Sequence, residues 1–479
     1  MKKIDSFGKN KKTASNATLT FWGGVGTVTG ANFLLKRNGV NILVDCGLLQ
    51  GVSGSGEKNH EQFPYDPASI DFLFITHAHI DHIGKVPKLV KDGFRGTIYS
   101  TRETKEISVF MFDDAIKLLR HAGESSSISA NNTPHLPLYE KTDVDLALSL
   151  WKEIPYHEKR EFTPGLSVEL LDAGHILGSA MIKILNKGVE GKSKNIVFTG
   201  DLGNSPAPII KDTEFITDAN YLVVDSVYGD RNHESKDERD KHFEKIVRES
   251  IEKKGTLVIP AFSLDRTQIL LYELNNLIEE GKIPSVPVFL DSPLGIKLTA
   301  VYKNSSKFFN STVQQEIREG DDIFDFPKLK TAFTFENSMM IEKTNGPKIV
   351  IAGSGMSNGG RVTRHEMTYL PDPNSTILLT GYQSIGTMGR MLQEGAPEVE
   401  INGTKVPVRA RIEMISGYSA HKDSDSIVDF VERTRDSLEQ VFVVMGEPKS
   451  SLFLTQRLRD YLDVPAMYPE RGKEYVIEL

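Results

Sequence analysis

Thr76-His77-Ala78-His79-Ile80-Asp81-His82 packs three histidines and an aspartate into six positions. The apolar run that begins at Ile70 stands directly before it, so the cluster opens at the end of an expected buried strand rather than in a charged surface segment. In extended backbone His77 and His79 lie two apart and point the same way. Asp81 and His82 can turn back toward a second point at a helix start. One loop can therefore face two metal ions. Imidazole nitrogen and carboxylate oxygen suit zinc, and manganese or iron accepts the same donors.

Two more candidate ligands stand at strand ends. His175 follows Asp172-Ala173-Gly174, and Asp201 follows Phe198-Thr199-Gly200. Alone, His175 would read as a satisfied core histidine and Asp201 as a cap or turn residue. Beside the first cluster both read as ligands, with the glycines letting backbone approach the site.

Composition narrows the alternatives. The chain has 479 residues, 39% of them hydrophobic and 25% charged, which fits a globular protein with a sizeable core and excludes disordered or collagen-like classes. Cys46 is the only cysteine, so no intramolecular disulfide or cysteine-rich zinc cluster can form. A reducing compartment suits it, and metal must be held by His, Asp or Glu. No apolar run reaches the ~20 residues of a membrane span, and the lysine-rich stretch from Met1 to Lys12 has no apolar region behind it. A cytoplasmic protein without membrane contact is the expectation, and residues 1–15 read as a flexible lead-in. The net charge of -8 argues against nucleic-acid binding through global charge and leaves only a local basic groove.

Strand-like runs at 41–45, 70–76, 166–172, 195–199 and 221–225 end in polar or glycine-containing turns, which brings Asp45, Thr76, Asp172, Thr199 and Asp225 to one edge. After Asp225 the texture changes to alternating strands, at 256–260, 287–291, 348–353 and 376–381, and helices such as 264–280, the pattern of a parallel sheet. Further strand-like runs appear at 411–415 and 441–445. The chain accordingly divides into residues 1–230, an inserted α/β domain at 231–407, and a remnant at 408–479 that completes the first domain.

These motifs resemble the metallo-β-lactamase superfamily and, within it, the β-CASP RNA nucleases. The resemblance rests on Asp45 in Leu43-Val44-Asp45-Cys46-Gly47, the 77–82 cluster, His175 and Asp201. It is extended by Asp225 in Val224-Asp225-Ser226 and by His421 in Gly417-Tyr418-Ser419-Ala420-His421. It implies an αββα sandwich with an inserted β-CASP α/β domain. It further implies one zinc on His77, His79 and His175, a second on Asp81 and His82, and Asp201 bridging. Asp45 would orient a ligand histidine from behind, Asp81 would orient the attacking water, and His421, held by Asp225, would act as general acid.

One position departs from the family. The segment that usually carries a further histidine ligand reads Val443-Val444-Met445-Gly446-Glu447, which puts a thioether where zinc prefers nitrogen and weakens the second site. The loop Ser354-Gly355-Met356-Ser357-Asn358-Gly359-Gly360-Arg361 is suited to cradling an RNA phosphate. Arg361, Arg364, Arg390, Arg409, Arg411 and Lys422 are candidates for the local basic groove. The expectation is a zinc-dependent hydrolase of RNA phosphodiesters holding one or two ions. The alternatives are a catalytically impaired RNA-binding relative or a small-molecule hydrolase of the same superfamily. RNA is the expected partner, and the sequence is compatible with a homodimer.

Overall fold

The computed structural model describes residues 16–51, 54–125, 137–187 and 193–479; the expected lead-in at 1–15 lies outside them. Two seven-stranded sheets face one another. The first runs in the order Glu474–Glu478, Asn16–Phe21, Phe33–Arg37, Val40–Val44, Phe72–Phe74, Thr97–Ser100, Trp151–Glu153. The second runs Ala466–Met467, Gln440–Val444, Tyr221–Asp225, Lys194–Phe198, Ala180–Asn186, Leu166–Asp172, Arg160–Thr163. Phe21, Phe33, Val44 and Phe74 of the first pack against Ile182, Phe198, Val223 and Phe442 of the second in one buried core. Because side chains alternate along a strand, the neighbours of these residues face outward. Leu43, Leu73 and Ile98 bury against Leu89, Ile107 and Val144 of helices Val86–Lys91, Arg102–Ser125 and Lys141–Ser149. Leu222, Val441 and Val443 bury against Ile427, Phe430, Leu454 and Leu458 of helices Ser424–Glu432 and Pro448–Leu462. The result is the expected αββα sandwich.

Between Asp225 and the C-terminal helices lies a six-stranded sheet in the order Leu329–Thr331, Val288–Asp291, Lys348–Gly353, Thr256–Ala261, Thr376–Thr380, Arg411–Ile415. Every pair in it is parallel. Arg411–Ile415 corrects the sequence reading. It does not join the sandwich but pairs in parallel with Thr376–Thr380 at the edge of the inserted sheet, so that sheet runs past residue 407. Five residues of strand-like composition carry no mark of which sheet they will edge, since only pairing decides it. From Ile415 the chain crosses back to the sandwich, where His421 bridges Gly203 and Asp423 bridges Tyr228. The strand ends 44, 74, 172, 198, 225 and 444 thus lie along one rim, with the inserted sheet beside it.

Candidate metal centre

His77 follows strand Phe72–Phe74, and His82 sits in the short helix Ile80–Ile83 whose N-cap is His79. His175 and Asp201 arrive from the second sheet. Gly200 makes the approach possible: it has φ +57°, and a Cβ there would lie 2.7 Å from the Cβ of Thr76. Three imidazole nitrogens and a carboxylate then converge. His77 Nε2 is 3.1 Å from His79 Nδ1, which is 3.2 Å from His175 Nε2. Asp201 Oδ2 lies 3.5 Å from His77 Nε2 and 3.6 Å from His175 Nε2.

The other nitrogen of three of these rings is already committed. Thr76 Oγ1 is 3.0 Å from His77 Nδ1, the Ala420 carbonyl 3.2 Å from His175 Nδ1, and Asp45 Oδ2 2.7 Å from His82 Nδ1. Each Nδ1–H donates outward, which leaves Nε2 as a lone pair pointing into the cluster. Burial, reinforced by neighbouring imidazoles, pushes His79 and His175 well below the usual imidazole range. One proton on His79 Nδ1 can be shared between the two Nε2 atoms, but it leaves Asp201 Oδ2 facing their lone pairs with no proton between them. A tetrahedral ion with bonds of about 2.0–2.1 Å places its donors about 3.4 Å apart, so the four donor atoms fit one zinc-sized ion.

A second gap adjoins the first. His82 Nε2 and Asp201 Oδ1 are buried, have no hydrogen-bond partner, and face each other at 3.4 Å; Asp81 Oδ2 is 3.8 Å from the same nitrogen. Burial opposes charge on His82, but the carboxylates of Asp201, Asp45 and Asp81 outweigh it and hold the imidazole well above its usual range, so a cation bound here must displace the Nε2 proton to gain that lone pair. Burial likewise opposes ionisation of Asp201, and the imidazoles of His82, His421 and His77 reverse the sign and keep it ionised. Three donors facing one point suit a cation. On the opposite side, His421 Nδ1 lies 3.8 Å from Asp201 Oδ2 and 3.7 Å from Asp225 Oδ2, and Asp225 Oδ1 accepts from the Leu202 N–H at 3.2 Å.

Three consecutive segments match family models: the metallo-beta-lactamase superfamily over residues 25–163, the Beta-Casp domain over 267–392, and the Zn-dependent metallo-hydrolase RNA specificity domain over 405–469. A ribonuclease of Thermus thermophilus is 31% identical over 437 residues, which cover 91% of this chain and 95% of that protein. The chain belongs to the β-CASP RNA nuclease family of the metallo-β-lactamase superfamily. An RNase J-like protein of Methanocaldococcus jannaschii is 29% identical over 95% of this β-CASP chain and 98% of its own length. The transcription termination factor FttA of Methanosarcina mazei is 29% identical over 93% of this chain and 69% of its own. A solved Enterococcus faecalis protein of unknown function shares the fold at a TM-score of 0.53 and 12% identity, covering 96% of this chain and 100% of its own.

Against that family pattern, Met445 turns out to be a packing residue. It has φ +50°, its N–H donates to the Gly24 carbonyl at 2.6 Å, and it is buried in the core shared with Phe33 and Phe198. Its sulfur lies over Gly24, where a Cβ would come within 2.5 Å of it. Among the described residues no fourth protein donor is seen to close the His82 side.

The residues assigned to RNA are not gathered in a free basic groove. Arg361 donates through Nη1 to Asp291 at 2.6 Å and through Nη2 to the Phe333 carbonyl at 2.9 Å. Arg364 pairs with Glu342, Arg390 with Glu394, and Arg411 with Glu249 and Glu413. Lys422 is buried and donates to Ser205 Oγ at 3.2 Å, on the His421 side rather than beside the glycine loop. Arg361, Arg364 and Arg411 are neutralised by carboxylates far off in sequence, which a reading of spacing cannot foresee, whereas Arg390 meets Glu394 one helical turn away. Ser354 at φ +90°, Gly359 at φ +115° and Gly360 at φ +71° do form a left-handed loop at the end of strand Lys348–Gly353, with Gly355 and Met356 inside it. Two supports escaped the sequence reading. Thr76 Oγ1 donates to Asp45 Oδ2 at 2.8 Å and links it to His77, and its place just before the cluster was the available signal. The Ala420 carbonyl under His175 left none, since every residue has one.

Proposed function

We propose that the protein cleaves RNA phosphodiester bonds with zinc held by His77, His79, His175 and Asp201. The observation that carries this reading is the closed four-donor cluster with the His421–Asp225 pair on its flank, in a chain whose relatives are named as ribonucleases. A bound divalent ion supplies positive charge that polarises a phosphoryl oxygen and lowers the pKa of water.

The chain's own residues supply the rest. Asp81 Oδ2 borders the His82 gap and remains partly accessible, so it orients the attacking water and takes its proton. His421 turns Nδ1 toward Asp201 and Asp225. Burial opposes charge on His421, yet the two carboxylates hold its proton affinity above the usual range, which leaves Nε2 to protonate the departing oxygen. Asp45 and Thr76 fix the rings of His82 and His77. His82, Asp81 and Asp201 would hold a second, weaker ion.

Metal analysis together with RNA turnover tests the proposal. At least one tightly held zinc per chain and cleavage lost on chelation are expected. Less than one zinc after metal-replete preparation, with no cleavage, would overturn it. Met445 favours a second reading, an RNA-binding protein with impaired catalysis; its signature is one zinc per chain, RNA binding and no turnover.

A further inference from the structure

Five phenylalanines among the described residues are exposed, namely Phe215, Phe262, Phe333, Phe335 and Phe453. Two of the five stand at or just beyond the C-terminal ends of strands in the inserted sheet. Phe262 directly follows strand Thr256–Ala261 and is 42% exposed; Phe333 lies two residues past Leu329–Thr331 and is 51% exposed. Exposed aromatic rings lose the burial that normally stabilises them, so their concentration at one edge calls for an occupant.

Strand order turns that edge into a row. From one side to the other it presents Phe333, Ser292, the Ser354 loop, Phe262, Tyr382 and then Ser416, from which the short turn leads to His421. Five inter-strand steps of about 4.8 Å make this edge about 24 Å long. The inner end is continuous with the metal centre: the ring of Tyr228 is 6.4 Å from those of both Tyr382 and His421.

Cations accompany the rings. Lys297 Nζ lies 6.0 Å from the Phe333 centroid and 5.8 Å from that of Phe110. The Arg231 guanidinium lies 5.6 Å from the Tyr228 centroid and 6.0 Å from that of Tyr382. Aromatic faces spaced along a line, with positive charge beside them, match a single strand whose bases stack while its phosphates meet cations. In a chain of net charge -8 in which Arg361, Arg364, Arg390 and Arg411 are engaged by carboxylates, stacking supplies affinity that those charges do not.

We infer that the C-terminal edge of the inserted sheet is a base-stacking track for single-stranded RNA, with Phe262 and Phe333 as stacking platforms remote from the metal centre. This rests on the proposed RNA substrate and assigns where the strand lies beyond the cleaved bond.

The test uses the full metal-loaded chain and single-stranded RNA carrying 2-aminopurine at successive positions. Stacking quenches that fluorophore, and the readout does not need cleavage. Wild type should quench it at positions on one side of the cleavage site. Phe262→Ala and Phe333→Ala should each remove the quench at one position and weaken binding about 10-fold. Phe→Trp at either position should retain both. Where turnover is seen, the alanine variants should raise KM for a long strand, leave kcat unchanged, and leave hydrolysis of bis(p-nitrophenyl) phosphate unchanged. Absence of quenching by wild type, or unchanged quenching and affinity in both alanine variants, overturns the inference. A change of oligomeric state in those variants with RNA affinity intact also overturns it and assigns the edge to a second copy. Position-specific quenching without any cleavage upholds the track and instead defeats the ribonuclease reading.

Discussion

Replacing Asp45 by Asn isolates the support behind the metal ligands. Asp45 is buried at φ +59°, a left-handed conformation that Asn also tolerates, so the backbone is not the variable. Its Oδ1 accepts the Thr76 N–H at 2.8 Å, and its Oδ2 accepts the Thr76 hydroxyl at 2.8 Å and His82 Nδ1–H at 2.7 Å. An amide offers only one oxygen. If its NH2 takes the Oδ1 position, it faces the Thr76 backbone donor, which cannot reverse. If it takes the Oδ2 position, His82 must give up the Nδ1 proton and carry it on Nε2, which removes the lone pair aimed at the ion. Either orientation leaves a buried donor unmet, at about 1–3 kcal/mol of stability. Disturbing a carboxylate behind a ligating histidine lowers metal affinity by about 10–100-fold. Urea unfolding and zinc competition against a chromophoric chelator measure the two effects. Wild-type zinc affinity together with wild-type stability in Asp45→Asn would refute the assignment of Asp45 as the residue that fixes the His82 tautomer.

Three further outcomes are expected. Met445→His places at φ +50° a residue that enters the left-handed region more readily than Met, and should raise zinc content toward two per chain and increase RNA turnover; unchanged zinc content on metal analysis would show that the His82 side is closed to a further donor. His421→Ala and Asp225→Asn should each lower RNA cleavage by ~100-fold or more while zinc analysis still finds the ion on His77, His79 and His175, whereas loss of that ion would make them ligand residues instead. Burial pushes the Glu366 carboxyl from 4.5 up to about 8, so its contribution to stability is fully present below about 4.5 and is lost as pH rises through about 8. Glu366→Gln removes that dependence, and thermal melts should show its Tm advantage over wild type widening from pH ~5 to pH ~8.

Much of the metal centre was legible in order along the chain. His77, His79, His175 and Asp201 follow apolar strands, and a sheet delivers consecutive strand ends to one rim, so ligand type and strand end together name the cluster. The same reasoning marked Asp225, whereas His421 was legible only through the family resemblance of its Gly417-Tyr418-Ser419-Ala420-His421 segment. It misplaced Arg411–Ile415, whose half-buried, mixed residues suit an edge strand of either sheet. It also credited Arg361, Arg364 and Arg411 with free charge. Asp291, Glu342 and Glu249 take those charges up from 70, 22 and 162 residues away, and separation of that order is invisible to spacing.

What the sequence by itself determined is chemical identity at strand ends: the donor set, the single cysteine that leaves metal to His and Asp, and Met445 at the position where the family's histidine stands. The tertiary structure decided direction and company. It turned each Nε2 inward by giving Nδ1–H a partner in Thr76, Asp45 or Ala420, packed the Met445 sulfur over Gly24, and laid Phe333, Phe262 and Tyr382 along one edge through a strand order that departs from chain order. Residue type follows locally from the chain, whereas hydrogen-bond partners, ion pairs and neighbouring strands are set by contacts across the fold, where proximity is independent of sequence distance.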